Sequence, residues 1–224
     1  MQRTAQTEEA DVSQRLSSGA GQLGLSIDGA QTARLVAYLA CLERWNKVYN
    51  LSAWKRPADL VAHHLLDSMT LVGPLRGYAA GRRLRVLDAG SGAGFPAAVL
   101  AIMNPDWTIT AVDAVSKKMA FVQQAAAETG IGNLRVRHGR LEDLGSSDSS
   151  DLVVSRAFAS LDRFVAVTKH LVAPGGVWVA QKGRLPKTEM AELSGGIEVF
   201  HVEPVTVPGL AAERHLVWMR RIQA

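Results

Sequence analysis

The residues best suited to do chemistry lie in "VLDAGSGAGFP", residues 86–96. An apolar run there is followed by Asp88 and by glycines at 90, 92 and 94. A strand that turns through glycines into a helix lets backbone approach a ligand with no Cβ in the way, and it aims the free N–H groups of the helix start at that ligand. The dinucleotide fingerprint G-x-G-x-x-G is one form of such a turn. Gly90 and Gly92 fill its first two positions, but the third falls on Phe95, with Gly94 one residue early. Taken alone, the glycines are a weak signal, since a simple sharp turn also uses them. Asp113 ends the next apolar run. A carboxylate in that place accepts hydrogen bonds from both hydroxyls of a ribose, as an adenosine-containing cofactor requires, and it also serves as a cap for the helix that follows. After the third run comes "GRLEDL", with Leu141 placed against an adenine ring and Glu142 near its polar edge.

These positions depend on the elements that carry them. From residue 84 onward, short β-type runs alternate with helical ones, which predicts βαβ units and an α/β fold on a parallel sheet. Strands are expected at 84–89, 108–113, 134–138, 152–155 and 177–181, with helices at 96–103, 117–129 and 161–171. Ligands of such a sheet lie beyond the carboxyl ends of its strands, where Gly90, Asp113 and Leu141 fall. "APGG" before the fifth strand reads as a sharp reversal, and 198–207 with 215–221 as a closing antiparallel hairpin.

The chain ahead of this is different. Residues 1–80 read as a helical unit, and 81–224 as the cofactor domain. Residues 1–10 are polar and read as a loose end. Val12, Leu16 and Leu23 mark a short helix weakened by Gly19 and Gly21. Asp28 caps a clearer one with Leu35, Leu39, Leu42 and Trp45 on one face. Pro57 opens a third, which carries Leu60, Val61, Leu65, Met69 and Val72 until "GPLRG" ends it.

With 224 residues, 47% of them apolar and 21% charged, the composition is that of an ordinary globular protein. The N-terminus lacks a basic-then-apolar leader, and no apolar run nears the roughly 20 residues of a membrane span, so a cytoplasmic location is expected. A lone cysteine, Cys41, excludes an internal disulfide and a multi-cysteine zinc site; its place in an apolar stripe reads as core. His63 and His64 are neighbours on a helix and so do not share a face, and no metal site is expected. His64 or Asp67 is read instead as organising the helical unit against the sheet. The charge of +4, from 25 basic and 21 acidic residues, leans toward an anionic partner. Arg82, Arg83, Arg85, Lys117, Lys118, Arg135, Arg137, Arg140, Lys182, Arg184 and Lys187 recur along the second part and are read either as one basic face or as solvated element ends.

D-x-G-x-G-x-G, then a strand-end acid, then a third acid after the next strand resembles the S-adenosylmethionine site of class I methyltransferases. "GFP" in place of the third dinucleotide glycine moves the reading away from a nicotinamide cofactor. The resemblance runs from Leu84 to the C-terminus. It implies a Rossmann-like seven-stranded sheet, mostly parallel with an antiparallel last strand, preceded here by the helical unit. Outside that core, "WNKVYNLSA" (45–53), "HHLLDS" (63–68), "AGSGAGFP", "SRAFASL" (155–161) and "QKG" (181–183) occur in this order. Together they resemble the RsmG, or GidB, family, bacterial enzymes that methylate N7 of a guanine in small-subunit ribosomal RNA. The resemblance implies S-adenosylmethionine as cofactor and Gly90, Gly92, Gly94, Phe95, Asp113, Leu141, Glu142 and Arg156 as its site. It also implies small-subunit RNA or the assembled subunit as partner of a monomeric enzyme. Phe95, for an expected leucine, and Ala93, for the commoner proline, depart from the family pattern.

The loop after the fourth strand bears on the methyl acceptor. It holds Ser155, Arg156, Ala157 and Phe158, not the Asn/Asp-Pro-Pro-aromatic run typical of exocyclic amino-group methylation, and Cys41 is remote from it. N7 of guanine carries an in-plane lone pair and no proton, so it attacks the sulfonium methyl without a general base, given in-line approach. Arg156 and Lys182 are accordingly expected to position rather than to move protons. Arg156 binds O6 or the methionine carboxylate, or forms an ion pair; Phe158 stacks on the base; Lys182, Arg184 and Lys187 hold phosphates. Since the major groove of A-form RNA is narrow, the guanine must be unpaired or flipped out. A nicotinamide-dependent oxidoreductase and a nonenzymatic RNA-binding module on the same fold are the alternatives.

Overall fold

The computed structural model describes residues 2–54, 56–156, 158, 160–193 and 196–222, with the backbone alone for 2–9. Seven strands form one sheet: β1 Arg85–Ala89, β2 Thr108–Asp113, β3 Leu134–His138, β4 Ser150–Ser155, β5 Val172–Lys182, β6 Ile197–Thr206 and β7 Glu213–Arg221, in the order β3-β2-β1-β4-β5-β7-β6. The first five are mutually parallel, and β7 runs antiparallel to both β5 and β6. Their carboxyl ends therefore lie along one edge of the sheet. β1 and β4 are central and apolar because helices cover both faces. Val86 and Val154 point into one core, Leu87 and Val153 into the other.

The helices are α1 Gln2–Gln22, α2 Gly29–Tyr49, α3 Pro57–Leu60, α4 Asp67–Met69, α5 Val72–Ala79, α6 Ala97–Met103, α7 Ser116–Thr129, α8 Leu161–Thr168 and α9 Lys187–Ala191. Among the described residues no helix is long and apolar enough to cross a membrane. Asp28 caps α2, with Gln31 completing a reciprocal capping box, and Pro57 stands at the start of α3. Leu16, Leu35, Tyr38 and Leu65 of the helical unit share one apolar core with Val86, Leu100 and Phe121. The two sequence units thus meet over one face of the sheet, and α8 covers the other.

Three local expectations change. Helix α1 includes residues 2–10 and runs through Gly19 and Gly21, because a Cβ at Gly19 would lie 2.5 Å from Leu66 Cδ1 and glycine is what lets the two segments approach. The helix expected from Pro57 to Val72 is broken by a π-helical turn, Val61–Leu66, and "GPLRG" lies inside α5: Pro74 sits in its first turn, where a missing N–H costs little. "APGG" is a bulge within β5, not a reversal. Ser150 pairs with Val172 and Leu152 with Val177, so residues 173–176 loop out of the ladder.

Candidate active site

Beyond the carboxyl ends of β1, β2 and β3, Gly90, Asp113, Leu141 and Glu142 line one cleft of about 280 Å³ with Phe158 and Arg163. Gly90, Gly92 and Gly94 have φ of 72°, 60° and 82°, left-handed values that favour glycine, and Gly90 and Ser91 both donate to the Val112 carbonyl at 2.9 Å. Asp113 Oδ2 accepts from the Gly92 amide and Oδ1 from the Val115 amide, each at 2.9 Å. It therefore ties the glycine turn to the start of α7. Each carboxylate oxygen has two acceptor positions, so capacity for ribose hydroxyls remains. A Cβ at Gly90 would lie 3.8 Å from the Phe158 ring, which packs on Phe164 with ring centres 5.3 Å apart. Leu141 is buried beside the cleft, and Glu142 pairs with Arg163 at 2.8 Å.

Asp88 is wholly buried under this turn. Its Oδ2 accepts from Ser91 Oγ at 2.5 Å and from the Ala97 amide at 3.1 Å, while Oδ1 has no partner among the described residues. Burial pushes its carboxyl up to about 6. Its structural work is to join the turn to the first residues of α6.

Phe95 and Arg156 lie on the helical-unit side of the turn and do not line the cleft. Phe95 packs edge-on against Tyr38 at 5.5 Å and face-on against His64 at 4.6 Å. The Arg156 guanidinium turns inward: it donates to the His63 carbonyl at 2.8 Å, to Asp67 Oδ2 at 3.1 Å and to His64 Nδ1 at 3.3 Å. Burial, then the nearby Arg156 charge, pushes His64 down to about 3, so its ring is neutral at pH 7. With Nδ1 accepting from Arg156, the proton sits on Nε2 and is donated to Ser52 Oγ at 2.7 Å. Asp67 is buried, and its Oδ1 also accepts from Arg214 Nε at 2.7 Å and Gln181 Nε2 at 3.1 Å. One carboxylate of the helical unit thus holds the ends of β4, β5 and β7.

Lys182 is turned inward as well. Its Nζ lies 2.8 Å from Glu189 and 3.2 Å from the Phe158 carbonyl, and Glu189 also accepts from the Leu161 amide at 2.7 Å. Lys182 therefore fastens the strand-four loop, leaving Arg184 and Lys187 as the exposed cations after β5. Ala157 and Ala159 of "SRAFASL" lie outside the described residues. Of the eight cofactor positions read from the sequence, four share the cleft, while Gly92 and Gly94 shape its turn.

Four residues were not read from the sequence. Tyr38 donates to the Ala93 carbonyl at 3.1 Å, and Arg214 closes the Asp67 cluster. Gln181 reaches both the carbonyl and the carboxylate of Asp67. Asn46 accepts from the Ser52 amide at 2.8 Å and donates to the Ser52 carbonyl at 3.0 Å, so it shapes the loop that holds His64. "WNKVYNLSA" and "QKG" contained two of them. Tyr38 and Arg214 gave no signal beyond a helical stripe and a strand.

A seven-stranded sheet with β7 inserted antiparallel between β5 and β6, and an acid-bearing cleft after its first three strands, defines the class I methyltransferase fold. A chain of that fold, an S-adenosylmethionine-dependent methyltransferase from Aquifex aeolicus, superposes with a TM-score of 0.54 at 18% identity over 73% of this chain and 93% of its own. TrmN from Thermus thermophilus does so with 0.53 at 17% identity, over 69% and 49%. The chain belongs to the GidB family, rRNA small subunit methyltransferase G, which matches residues 31–217. It is 47% identical to the ribosomal RNA small subunit methyltransferase G of Methylibium petroleiphilum, over 94% of this chain and 95% of that one. It is also 47% identical to that of Leptothrix cholodnii, over 92% and 94%.

Proposed function

We propose that this protein transfers a methyl group from S-adenosylmethionine to N7 of a guanine in small-subunit ribosomal RNA. The observation that carries this reading is family membership across nearly the whole chain, joined to a cleft that offers what an adenosine needs. When bound, the cofactor supplies the electrophilic sulfonium methyl. Gly90 presents backbone without a Cβ, Asp113 takes the ribose hydroxyls, and Leu141 with Glu142 receives the adenine. Gly92 and Gly94 give the turn its shape, and Phe95 seals the helical-unit side. N7 needs no base, so the remaining task is orientation. Phe158, at the lip of the cleft beside Gly90, is suited to stack on the guanine, and Lys182 holds that loop through the Phe158 carbonyl. Arg156 acts as a positioning residue: its charge is committed to Asp67 and the π-turn. The same reading includes a monomeric enzyme located in the cytoplasm.

The test is a map of N7-methylguanine in small-subunit RNA from cells with and without the gene, and in unmodified RNA incubated with purified protein and S-adenosylmethionine. One modified guanine that depends on the protein in both is expected. Protein that binds the RNA yet adds no methyl group would favour the nonenzymatic reading.

A further inference from the structure

The loop between α2 and α3 displays a large aromatic ring that the site itself does not use. Trp54 is 40% exposed. Its ring lies flat on His63, with ring centres 3.6 Å apart and planes 4° from parallel. The backbone of Trp54 is pinned on both sides. The Trp54 amide donates to Ser52 Oγ at 3.1 Å, and its carbonyl accepts from Asn46 Nδ2 at 3.3 Å. Beneath it, the His63 carbonyl is held by Arg156. The stack is thus built onto the cluster that ties the helical unit to the ends of β4, β5 and β7.

Its surroundings share one chemistry. Val48, Tyr49 and Val115 are also exposed, and Tyr49 is tied to α7 by Lys117, which donates to its carbonyl at 3.1 Å. Lys47 and Lys117 are exposed as well, while the Arg56 guanidinium pairs with Asp59 at 2.6 Å. Aromatic faces interleaved with cations bind single-stranded nucleic acid, since bases stack on the rings while the charges follow the phosphates. A protein partner would bury this apolar rim against apolar surface, whereas Lys117, held against Tyr49, sets a cation at the rim and favours a polyanion.

We propose that Trp54, backed by His63, is a stacking platform for an unpaired base of the substrate RNA next to the target guanine. This rests on the reading of the protein as an RNA methyltransferase and names a contact outside the cofactor cleft. It acts on RNA affinity and not on the methyl transfer itself.

The experiment uses full-length protein and unmodified small-subunit ribosomal RNA transcribed in vitro. Tryptophan emission of the wild type is quenched as RNA is added, and most of that quenching is lost in W54F, since Trp54 is the exposed tryptophan and Trp45, packed on Tyr49, is half-buried. W54A raises KM for RNA by about five- to hundredfold, W54F by much less, and kcat at saturating RNA stays within about twofold for both. Binding of S-adenosylhomocysteine is unchanged. An unquenched Trp54 at RNA concentrations that saturate methylation overturns the proposal. So does a KM for W54A within about twofold of the wild type, or a parallel loss of S-adenosylhomocysteine binding in W54A. Quenching without methylation would keep the platform and defeat the proposed activity instead.

Discussion

The Tyr38 hydroxyl occupies the space where a side chain at Gly94 would begin. A Cβ at Gly94 would collide with that oxygen, and it would also lie 3.2 Å from Val122 Cγ2. Tyr38 donates to the neighbouring Ala93 carbonyl, and burial pushes its own phenol far above the usual range, so it stays a donor at every physiological pH. Helix α2, remote in sequence, grips the glycine turn from behind.

Gly94→Ala is therefore expected to destabilise the protein by about 2–5 kcal/mol, from left-handed backbone and overpacking together. Tyr38→Phe alone costs about 1 kcal/mol through the lost hydrogen bond. In the double variant, removal of the hydroxyl should recover part of the alanine penalty. Urea denaturation measures the cycle, and additivity within about 0.5 kcal/mol would show that the two residues do not interact.

Asp67 should be the most sensitive polar residue outside the cleft. Its buried carboxylate faces Arg156 and Arg214, so Asp67→Asn leaves two cations short of their counter-charge and should cost about 3–5 kcal/mol. Arg156→Met and Arg214→Met each leave one cation in place and should cost less. A midpoint for Asp67→Asn matching the wild type in chemical denaturation would defeat this account.

Acid should loosen the same region through His64. Its folded value, about 3, lies below the ordinary 6.5, so the folded state binds fewer protons than the unfolded chain between those values. Its contribution is fully present above 6.5 and lost as pH falls toward 3, at up to about 1.4 kcal/mol per pH unit. Asp88, raised by burial, acts in the opposite sense, with stability falling as pH rises from the ordinary carboxylate range through about 6. Comparing the wild type with His64→Gln across pH cancels the Asp88 contribution. A stability difference that stays constant from pH 7 to pH 4 is the outcome that counts against a neutral buried His64.

Glu142 and Arg163 form an exposed pair, and such pairs contribute little. Arg163→Ala should leave stability within about 1 kcal/mol. Glu142→Ala should weaken S-adenosylhomocysteine about tenfold or more if the carboxylate receives the adenosine. Calorimetric titration separates the two, and equal affinities for the wild type and Glu142→Ala would remove Glu142 from the site.

By itself the sequence determined where the strands lie, the glycine turn and the acids at the strand ends. Apolar period, glycine spacing and strand-end position are local properties, and β2 and β3 fell on their expected residues for that reason. Recognition of the family came from short ordered motifs, again local. The tertiary structure decided where long side chains go. Arg156 and Lys182 read as groups facing the substrate, yet both turn inward: Asp67, 89 positions from Arg156, and Glu189, on the helix that follows β5, hold them in half-buried ion pairs. Helix α1 runs through two glycines because one of them meets Leu66, and "APGG" bulges because β4 passes beside it. Tyr38 behind Gly94 and Arg214 beside Asp67 left no local pattern to read: each contact joins residues more than fifty positions apart, and only packing over one face of the sheet brings them together.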